Sequence, residues 1–289
     1  MPAKKAAPAL PHAPKVLVQK MSGLLEPFSA EKLLRSLKKA GASDETAADV
    51  TRYIVAGLAP GETTQHIYRK AFGLLKKQKN ALAARYKLKR AILELGPSGY
   101  PFEQFVGEVF RKQGYLVQVG ILVQGRCVTH EVDVIAQKGD QYFLMECKFH
   151  NRPGEASDVK TALYVNARFH DIRQTLKTLP DLKALQHQMW LVTNTHFTTD
   201  ALTYGSCAGM QLLSWSYPAG NGLKELIERN EVYPVTTLTT LTQEEKQRLL
   251  AARIVLVADL VHNPKLLAKA GLKASREKVV LQEAHALCH

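Results

Sequence analysis

Two apolar segments interrupted by charged residues constrain this chain most. They span residues 129–136 and 142–149, with Gly139 and Asp140 between them. Short apolar runs joined by a Gly-Asp turn predict the two antiparallel strands of a hairpin. A charge inside an apolar strand lowers stability unless it is paired or used. The charged residues of these two strands are therefore the first ones to explain.

The alternation of side chains along a strand divides the second segment into two faces. Glu146 and Lys148 lie two residues apart on one face. The opposite face is apolar and consists of Phe143, Met145, Cys147 and Phe149. This pattern predicts that the apolar face packs into a core and that the other face presents a carboxylate and an ammonium group.

In the first segment, the same alternation predicts one face for Val132 and Val134 and the other for Asp133. Pairing of the strands brings Asp133 towards Glu146 and Lys148 at one end of a sheet. Two carboxylates beside a lysine suit a hard divalent cation and a polarised water. Charges on the open face of an antiparallel hairpin are often merely solvated, and that alternative stays open on the pattern alone.

The order and spacing of these residues resemble the PD-(D/E)XK restriction-endonuclease-like nucleases, and their Mrr-like branch in particular. Asp133 is followed thirteen positions later by Glu146-Cys147-Lys148. A preceding helix begins near Phe102-Glu103 and is followed by Gly114-Tyr115, as in that branch. The resemblance covers about residues 100–218.

The resemblance implies a Mg²⁺-dependent endodeoxyribonuclease that acts on DNA, with Mn²⁺ as an alternative ion. Asp133, Glu146 and the backbone carbonyl of Cys147 would hold the metal. Lys148 would orient or help to deprotonate the attacking water. Glu103 would contribute a further acidic group to the catalytic set.

Other residues of the two flanking helices compete for supporting roles. Glu108 is the alternative to Glu103, but the two lie about 140° apart around a helix, so both cannot face one site. From the helix predicted to begin at Asp158, the resemblance implies that Gln174 or Tyr164 contacts the site or a DNA phosphate. A solvated outer face of that helix remains the alternative interpretation for both residues.

The positive charge is concentrated in the first third of the chain. Residues 1–95 contain 18 Lys+Arg and 7 Asp+Glu, a net of +11 out of +13 for the whole chain. An excess of this kind predicts an anionic partner, either nucleotide phosphates or DNA. Residues 1–14 are rich in Ala, Pro and Lys, and we expect them to form a disordered tail.

The segment that follows predicts a short hairpin and four helices. The strands lie at 15–20 and 24–28, and Ser29 is the expected N-cap of a helix to about residue 39. Further helices are predicted at 44–57, after 63–64, and at 80–95. The breaker cluster 96–99 then marks a domain boundary.

A β-hairpin followed by four helices resembles the ATP-cone, a nucleotide-binding regulatory domain, and the match is assigned to residues 15–96. The residues that this resemblance assigns to nucleotide binding are Val18, Lys20, Gly23, Lys32, Arg85, Tyr86 and Arg90. Met21 and Ser22 depart from the arginine and aspartate of the family pattern. The resemblance implies ATP or dATP as a regulatory ligand that gates the nuclease, allosterically or through oligomeric state.

The remaining chain predicts strands at 188–194 and 210–215 and a helix at 199–207, with Trp215 as a packing residue. The fold class is therefore α/β, with a mixed-sheet restriction-endonuclease-like core, a mostly helical N-terminal ATP-cone and a C-terminal helical segment at 226–289. That last segment somewhat resembles helix-hairpin-helix DNA-binding modules, although their Gly-x-Gly hairpin is absent. A plain helical cap and a dimerisation element remain alternatives.

Several classes of function find no support in the sequence. The four cysteines show neither metal-ligand nor disulfide spacing, so we expect a reduced cytoplasmic chain without zinc. No apolar run reaches membrane-spanning length, and no P-loop motif indicates an ATPase. The alternative to a nuclease is a nucleotide-sensing, DNA-binding regulator with an inactive nuclease fold. A homo-oligomer is possible in either case.

Overall fold

The computed structural model describes residues 16–20 and 23–288. The predicted tail at 1–14, and Met21 and Ser22 of the ATP-cone pattern, lie outside the described residues. Contacts within the chain divide it into two compact units. The first unit reaches Leu88 and includes Thr237–Thr240, and the second comprises Lys89–Thr236 and the chain from Leu241 onwards.

The first unit consists of a hairpin and four helices, the last of which continues into the second unit. The elements are β1 (Leu17–Gln19), β2 (Leu25–Pro27), α1 (Ala30–Lys39), α2 (Asp44–Ala56), α3 (Thr64–Gln78) and α4 (Asn80–Leu93). The strands pair antiparallel with Val18 opposite Glu26. The predicted hairpin and all four predicted helices are confirmed.

Local capping explains where the helices of the first unit begin. Ser29, Ser43 and Thr63 each accept a hydrogen bond from the backbone N–H three residues later, which satisfies a donor that the helix leaves unpaired. The apolar faces then meet in one core. Its fully buried members include Leu37, Ala47, Ala71, Leu75 and Ala83.

The second unit contains the remaining strands and helices. They are α5 (Tyr100–Arg111), β3 (Leu116–Gln124), β4 (Thr129–Lys138), β5 (Gln141–Lys148), β6 (Ala156–Ser157), α6 (Val159–Leu176), β7 (Gln186–Thr193), β8 (His196–Phe197), α7 (Thr199–Cys207), β9 (Gln211–Leu213), α8 (Leu223–Asn230), α9 (Gln243–Ala251), α10 (Val257–His262) and α11 (Ala274–Cys288). Short 3₁₀ helices precede α9 and α11.

The main sheet has five strands in the order β3-β4-β5-β7-β9. β3, β4 and β5 are antiparallel neighbours, whereas β5, β7 and β9 run parallel. The register places Lys148 opposite Thr193, so the carboxyl ends of β5 and β7 lie at the same edge. The predicted mixed α/β sheet is confirmed.

Helices cover both faces of this sheet. On one face α5 buries Phe102 and Phe110, and the Phe110 ring lies 6.3 Å from that of Phe143. On the other face α6 packs on Leu144 in a second cluster with Phe169. The charged face of β5 is therefore not an open hairpin face, because its apolar neighbours are buried beneath a helix.

The regular alternation of β4 breaks at Asp133. Val132 and Ile135 pack in the same cluster under α6, which an unbroken strand does not allow. The ladder with β3 is interrupted at Gly120, whose φ is 66°. Val134 is not a member of this cluster, so the prediction that Val132 and Val134 share a face is wrong.

The C-terminal helices complete the second unit. A reciprocal capping box joins Thr242 and Glu245 at the start of α9. The fully buried residues of this segment include Leu249, Val257, Leu260 and Leu287. Among the described helices, none has the length and hydropathy that crossing a bilayer requires.

Candidate active site

Asp133 lies where β4 and β5 stop pairing. The last paired residues are Val134 and Met145. Beyond them, the Asp133 Oδ2 atom accepts a hydrogen bond from the backbone N–H of Cys147 at 2.7 Å. Burial, followed by the nearby Glu146 carboxylate, raises the pKa of Asp133 to about 7.

Glu146 lies beside Asp133 and is paired with a residue of α6. Arg168 donates from Nη1 to Glu146 Oε2 at 2.5 Å and from its other terminal nitrogen to the Glu131 carbonyl. Burial raises the pKa of Glu146, against the lowering effects of Arg168 and then Lys148. One guanidinium group therefore does not offset the desolvation of this carboxylate.

Glu103, on the first turn of α5, belongs to the same acidic cluster. Its pKa is raised by burial and then by Glu131 and Glu146, and its own charge raises the pKa of Asp133. Glu108 instead forms an ion pair with Arg111 on the same helix. Of the two candidate acids on α5, the one near Asp133 is Glu103.

Lys148 ends β5 and is exposed to solvent. It lies near enough to Glu146 to lower the pKa of that carboxyl group. The intervening Cys147 is buried, and burial followed by the surrounding carboxylates holds the pKa of its thiol well above the usual range. A protonated, buried thiol is not a metal ligand, so Cys147 has only its backbone to offer.

The donor atoms of this cluster suit a hard divalent cation. Asp133 and Glu146 are half-buried carboxylates whose ionisation the fold disfavours, and oxygen atoms are the ligands that Mg²⁺ and Mn²⁺ prefer. Within residues 16–20 and 23–288, no group of three or more Asp, Glu, His or Cys side chains has the arrangement of a metal site.

A second carboxylate accepts hydrogen bonds at the other end of β4, where the strand begins. Asp171 of α6 accepts hydrogen bonds from the backbone N–H groups of Cys127 and Val128 and from His130 Nε2, at 2.8, 3.3 and 2.8 Å. These donors lower its pKa, the His130 contact most of all. A Cβ atom at Gly125 would lie 2.1 Å from Asp171 Oδ2, which explains a glycine in this turn.

The two residues of α6 proposed for supporting roles lie in different places. Gln174 accepts a hydrogen bond from Arg126 Nη1 at 2.9 Å, in the turn that Asp171 holds. Tyr164 is exposed, and the Arg168 guanidinium lies 5.4 Å from its ring centre. Tyr164 is thus next to the Glu146 pair, whereas Gln174 is with the turn between β3 and β4.

Sequence reasoning missed the specific roles of Arg168 and Asp171. The sequence assigned no role to either residue. Their separations from Glu146 and His130 are 22 and 41 positions. Their spacing of three, which puts both on one side of a helix, was the available signal, but it does not identify the strand residue that each one meets.

In the first unit, the residues predicted to bind nucleotide near the hairpin have different environments. Val18 is buried. Lys20 pairs with Glu26 at 3.1 Å, and Gly23 has a φ of 85° in the adjoining turn. Lys32 is exposed on the first turn of α1.

The predicted residues of α4 differ in the same way. Arg85 approaches Gly41, where an added Cβ atom would lie 3.2 Å from Nη1. Tyr86 stacks on Tyr68 with ring centres 5.1 Å apart, and burial raises its pKa to about 12. Arg90 is exposed and belongs to the second unit.

Two family models match the chain, both in its part beyond α4. Residues 96–216 match a model described as restriction endonuclease. Residues 233–288 match a model described as AF1548-like, C-terminal. The chain therefore carries a restriction-endonuclease-like domain on the five-stranded mixed sheet.

Comparison with known proteins gives one relative and two solved structures. An uncharacterized protein of Archaeoglobus fulgidus is 33% identical over 180 residues, which cover 62% of this chain and 97% of the relative. The crystal structure of AF1548, a protein of unknown function, matches with a TM-score of 0.55 at 32% identity and covers 66% of this chain and 98% of that one. MspJI restriction endonuclease, solved in complex with a 27-mer oligonucleotide, matches at 13% identity with a TM-score of 0.33. This match covers 83% of the present chain and 48% of MspJI.

Proposed function

Since this chain belongs to the AF1548-like family and carries a restriction-endonuclease-like domain, we propose that it is a metal-dependent nuclease that hydrolyses phosphodiester bonds in DNA. The observation that carries the proposal is the desolvated pair Asp133 and Glu146, with Lys148 two residues further on the same strand. Clustered carboxylates with raised pKa values are typical of sites that bind a cation or move a proton.

Each residue of the cluster has a role that its position allows. Asp133 and Glu146, with the Cys147 carbonyl, would hold Mg²⁺ or Mn²⁺, and the bound ion would supply Lewis acidity. Lys148 is exposed and positively charged, so it can orient a water and stabilise negative charge on the phosphate. Glu103 adds a further acid on the α5 side, and Arg168 fixes the orientation of Glu146.

Regulation by ATP or dATP is a separate part of the proposal. It is supported by the order of elements in the first unit, a hairpin followed by four helices, which is the order that the ATP-cone resemblance implies. Lys20 beside the Gly23 turn and Lys32 at a helix N-terminus offer positive charge to phosphate oxygens. A faster or slower rate of nicking with added nucleotide distinguishes activation from inhibition.

The first test is nicking of supercoiled plasmid DNA by the purified full-length protein. Mg²⁺ and Mn²⁺ are supplied in separate reactions, with and without ATP or dATP. We expect the wild type to nick, Asp133→Ala and Lys148→Ala to lose nicking, and added nucleotide to change the rate. Asp181→Asn, an exposed acid far along the sequence from the cluster, serves as the matched control and should cut like the wild type.

One observation favours a second candidate function, a nucleotide-sensing regulator that binds DNA without cutting it. The Arg168–Glu146 ion pair occupies one of the two carboxylates. Wild-type protein that binds plasmid but does not cut it with either metal would support the regulator. Nicking by the wild type that is lost in both Asp133→Ala and Lys148→Ala would exclude the regulator.

A further inference from the structure

A polar cleft opens at the same edge of the sheet as Lys148. It has a volume of about 250 Å³. Six of its lining residues are Lys89, Asn194, Thr195, His196, Trp215 and Ser216. Three of them directly follow Thr193, the residue that pairs with Lys148 in the parallel register of β5 and β7. The cleft therefore begins one residue beyond the end of the paired strands β5 and β7.

Trp215 gives this cleft an aromatic wall. The prediction from the sequence treated it as a packing residue, but its side chain is only partly buried and lines the cleft. Its backbone N–H donates to the Thr195 carbonyl at 3.2 Å, which fixes its position. An aromatic ring held in this way is a surface on which a base can stack.

Lys89 gives the cleft a positive charge. Its ammonium nitrogen lies 6.0 Å from the centre of the Trp215 ring, and desolvation lowers the pKa of this ammonium group. No acidic side chain lines the cleft, and across residues 16–20 and 23–288 Lys89 forms no ion pair. A cation placed in a cleft without a carboxylate favours an anionic ligand.

The other polar groups narrow the choice of ligand. Asn194 is committed to His150, to whose carbonyl it donates and from whose N–H it accepts, both at 2.8 Å. His196 and Ser216 are exposed at the cleft and can bond to ligand oxygens. The combination of a ring, a cation and short polar groups in this volume fits one base and one phosphate, not a duplex.

We propose that the cleft lined by Lys89, His196 and Trp215 is a nucleotide subsite in which a base stacks on Trp215 and a phosphate meets Lys89. The proposal rests on the proposed nuclease function for its source of ligand, because a single nucleotide of a bound strand can reach this edge of the sheet. A free mononucleotide offers the same base and phosphate, so it is the other source of a ligand for the cleft.

The test uses intrinsic fluorescence, since the chain has two tryptophans, at positions 190 and 215. In full-length Trp190→Phe, Trp215 is the sole emitter. We expect dAMP to quench its fluorescence and 2-deoxyribose 5-phosphate, which lacks a base, to quench far less. If Trp190→Phe does not fold, the difference between the wild type and Trp215→Phe gives the same signal.

Lys89→Gln, introduced in the same background, should weaken dAMP binding about fivefold or more, as expected for loss of a charged contact. The matched control is Lys183→Gln, an exposed lysine elsewhere in the second unit, which should bind as the parent does. A short single-stranded oligonucleotide that quenches and is displaced by dAMP identifies the bound strand as the source. Quenching by dAMP alone identifies a free nucleotide.

The subsite proposal is overturned if neither dAMP nor the oligonucleotide quenches the Trp215 fluorescence. It is also overturned if Lys89→Gln leaves the quenching by dAMP unchanged. The plasmid assay is run on the same preparations to separate the two proposals. Cleavage without quenching removes the subsite and leaves the nuclease. Quenching without cleavage removes the nuclease and leaves a nucleotide site.

Discussion

Two carboxylates at opposite ends of β4 have pKa values that are shifted in opposite directions. Asp171 meets three hydrogen-bond donors at the start of the strand, and its pKa is lowered. Asp133 meets one backbone donor and faces Glu146 and Glu103, and its pKa is raised to about 7. The fold stabilises one negative charge and disfavours the other.

The difference separates a structural acid from a functional one. Asp171 ties α6 to the turn between β3 and β4, and its ionised form contributes to stability. Asp133 and its neighbours lower stability when ionised, so a cation or a substrate is what would compensate them. The following predictions test whether this division is correct, in order of decreasing expected effect.

Replacement of Asp133 should separate activity from stability most strongly. Asp133→Asn keeps an oxygen for the Cys147 N–H and removes the charge. We expect plasmid nicking to fall by about a thousandfold, because the carboxylate is proposed to hold the metal. A variant that nicks at the wild-type rate would place the catalytic acid elsewhere.

Replacement of Asp171 should show the reverse behaviour. Asp171→Ala leaves His130 and the N–H groups of Cys127 and Val128 without their acceptor. We expect a clearly lower midpoint of urea denaturation near neutral pH. Nicking by the fraction that remains folded should persist. An unchanged urea midpoint would mean that other contacts hold the turn.

Much of this division was accessible from the sequence, because it depends on local patterns. Charges inside apolar strands pointed to Asp133, Glu146 and Lys148 as candidate site residues, and Ser29 predicted the start of α1. The mixed sheet followed from the order of the apolar runs. In each case the signal lies within a few residues of the feature it predicts.

The parts that the sequence did not reveal depend on contacts between distant segments. Val132 and Ile135 pack in one cluster, whereas a hydrophobic pattern assumes regular alternation. Arg168 meets Glu146 only because α6 packs across β5. Trp215 reads as an apolar residue in a strand, and only the folded chain places it beside Lys89.

The pH dependence of stability gives a third, intermediate effect. The folded-state pKa of Asp133 lies above its unfolded value of 3.8. Its contribution to wild-type stability is therefore present in full below about pH 4 and is lost as the pH rises through about 7. We expect Asp133→Asn to be more stable than the wild type by about 2 kcal/mol near pH 8 and to lose this advantage near pH 4.

Urea denaturation of both proteins at the two pH values measures this effect, and Mg²⁺ provides its control. Added Mg²⁺ should stabilise the wild type at the higher pH and leave Asp133→Asn nearly unchanged, because a bound ion compensates the ionised carboxylates. Equal stability of the two proteins at both pH values would contradict the raised pKa of Asp133.

The smallest expected effect concerns Arg168. Its side chain pairs with Glu146, as that of His130 pairs with Asp171. Arg168→Gln removes a cation that lowers the pKa of Glu146, so that pKa should rise further above its usual value. More of the carboxyl group is then protonated near neutral pH. We expect the rising limb of the pH–rate profile to shift by about one unit towards alkaline pH, with a stability loss of about 1 kcal/mol. A uniform loss of rate with an unchanged pH profile would mean that Arg168 only orients α6, and the contrast between the two ends of β4 would then rest on Asp133 alone.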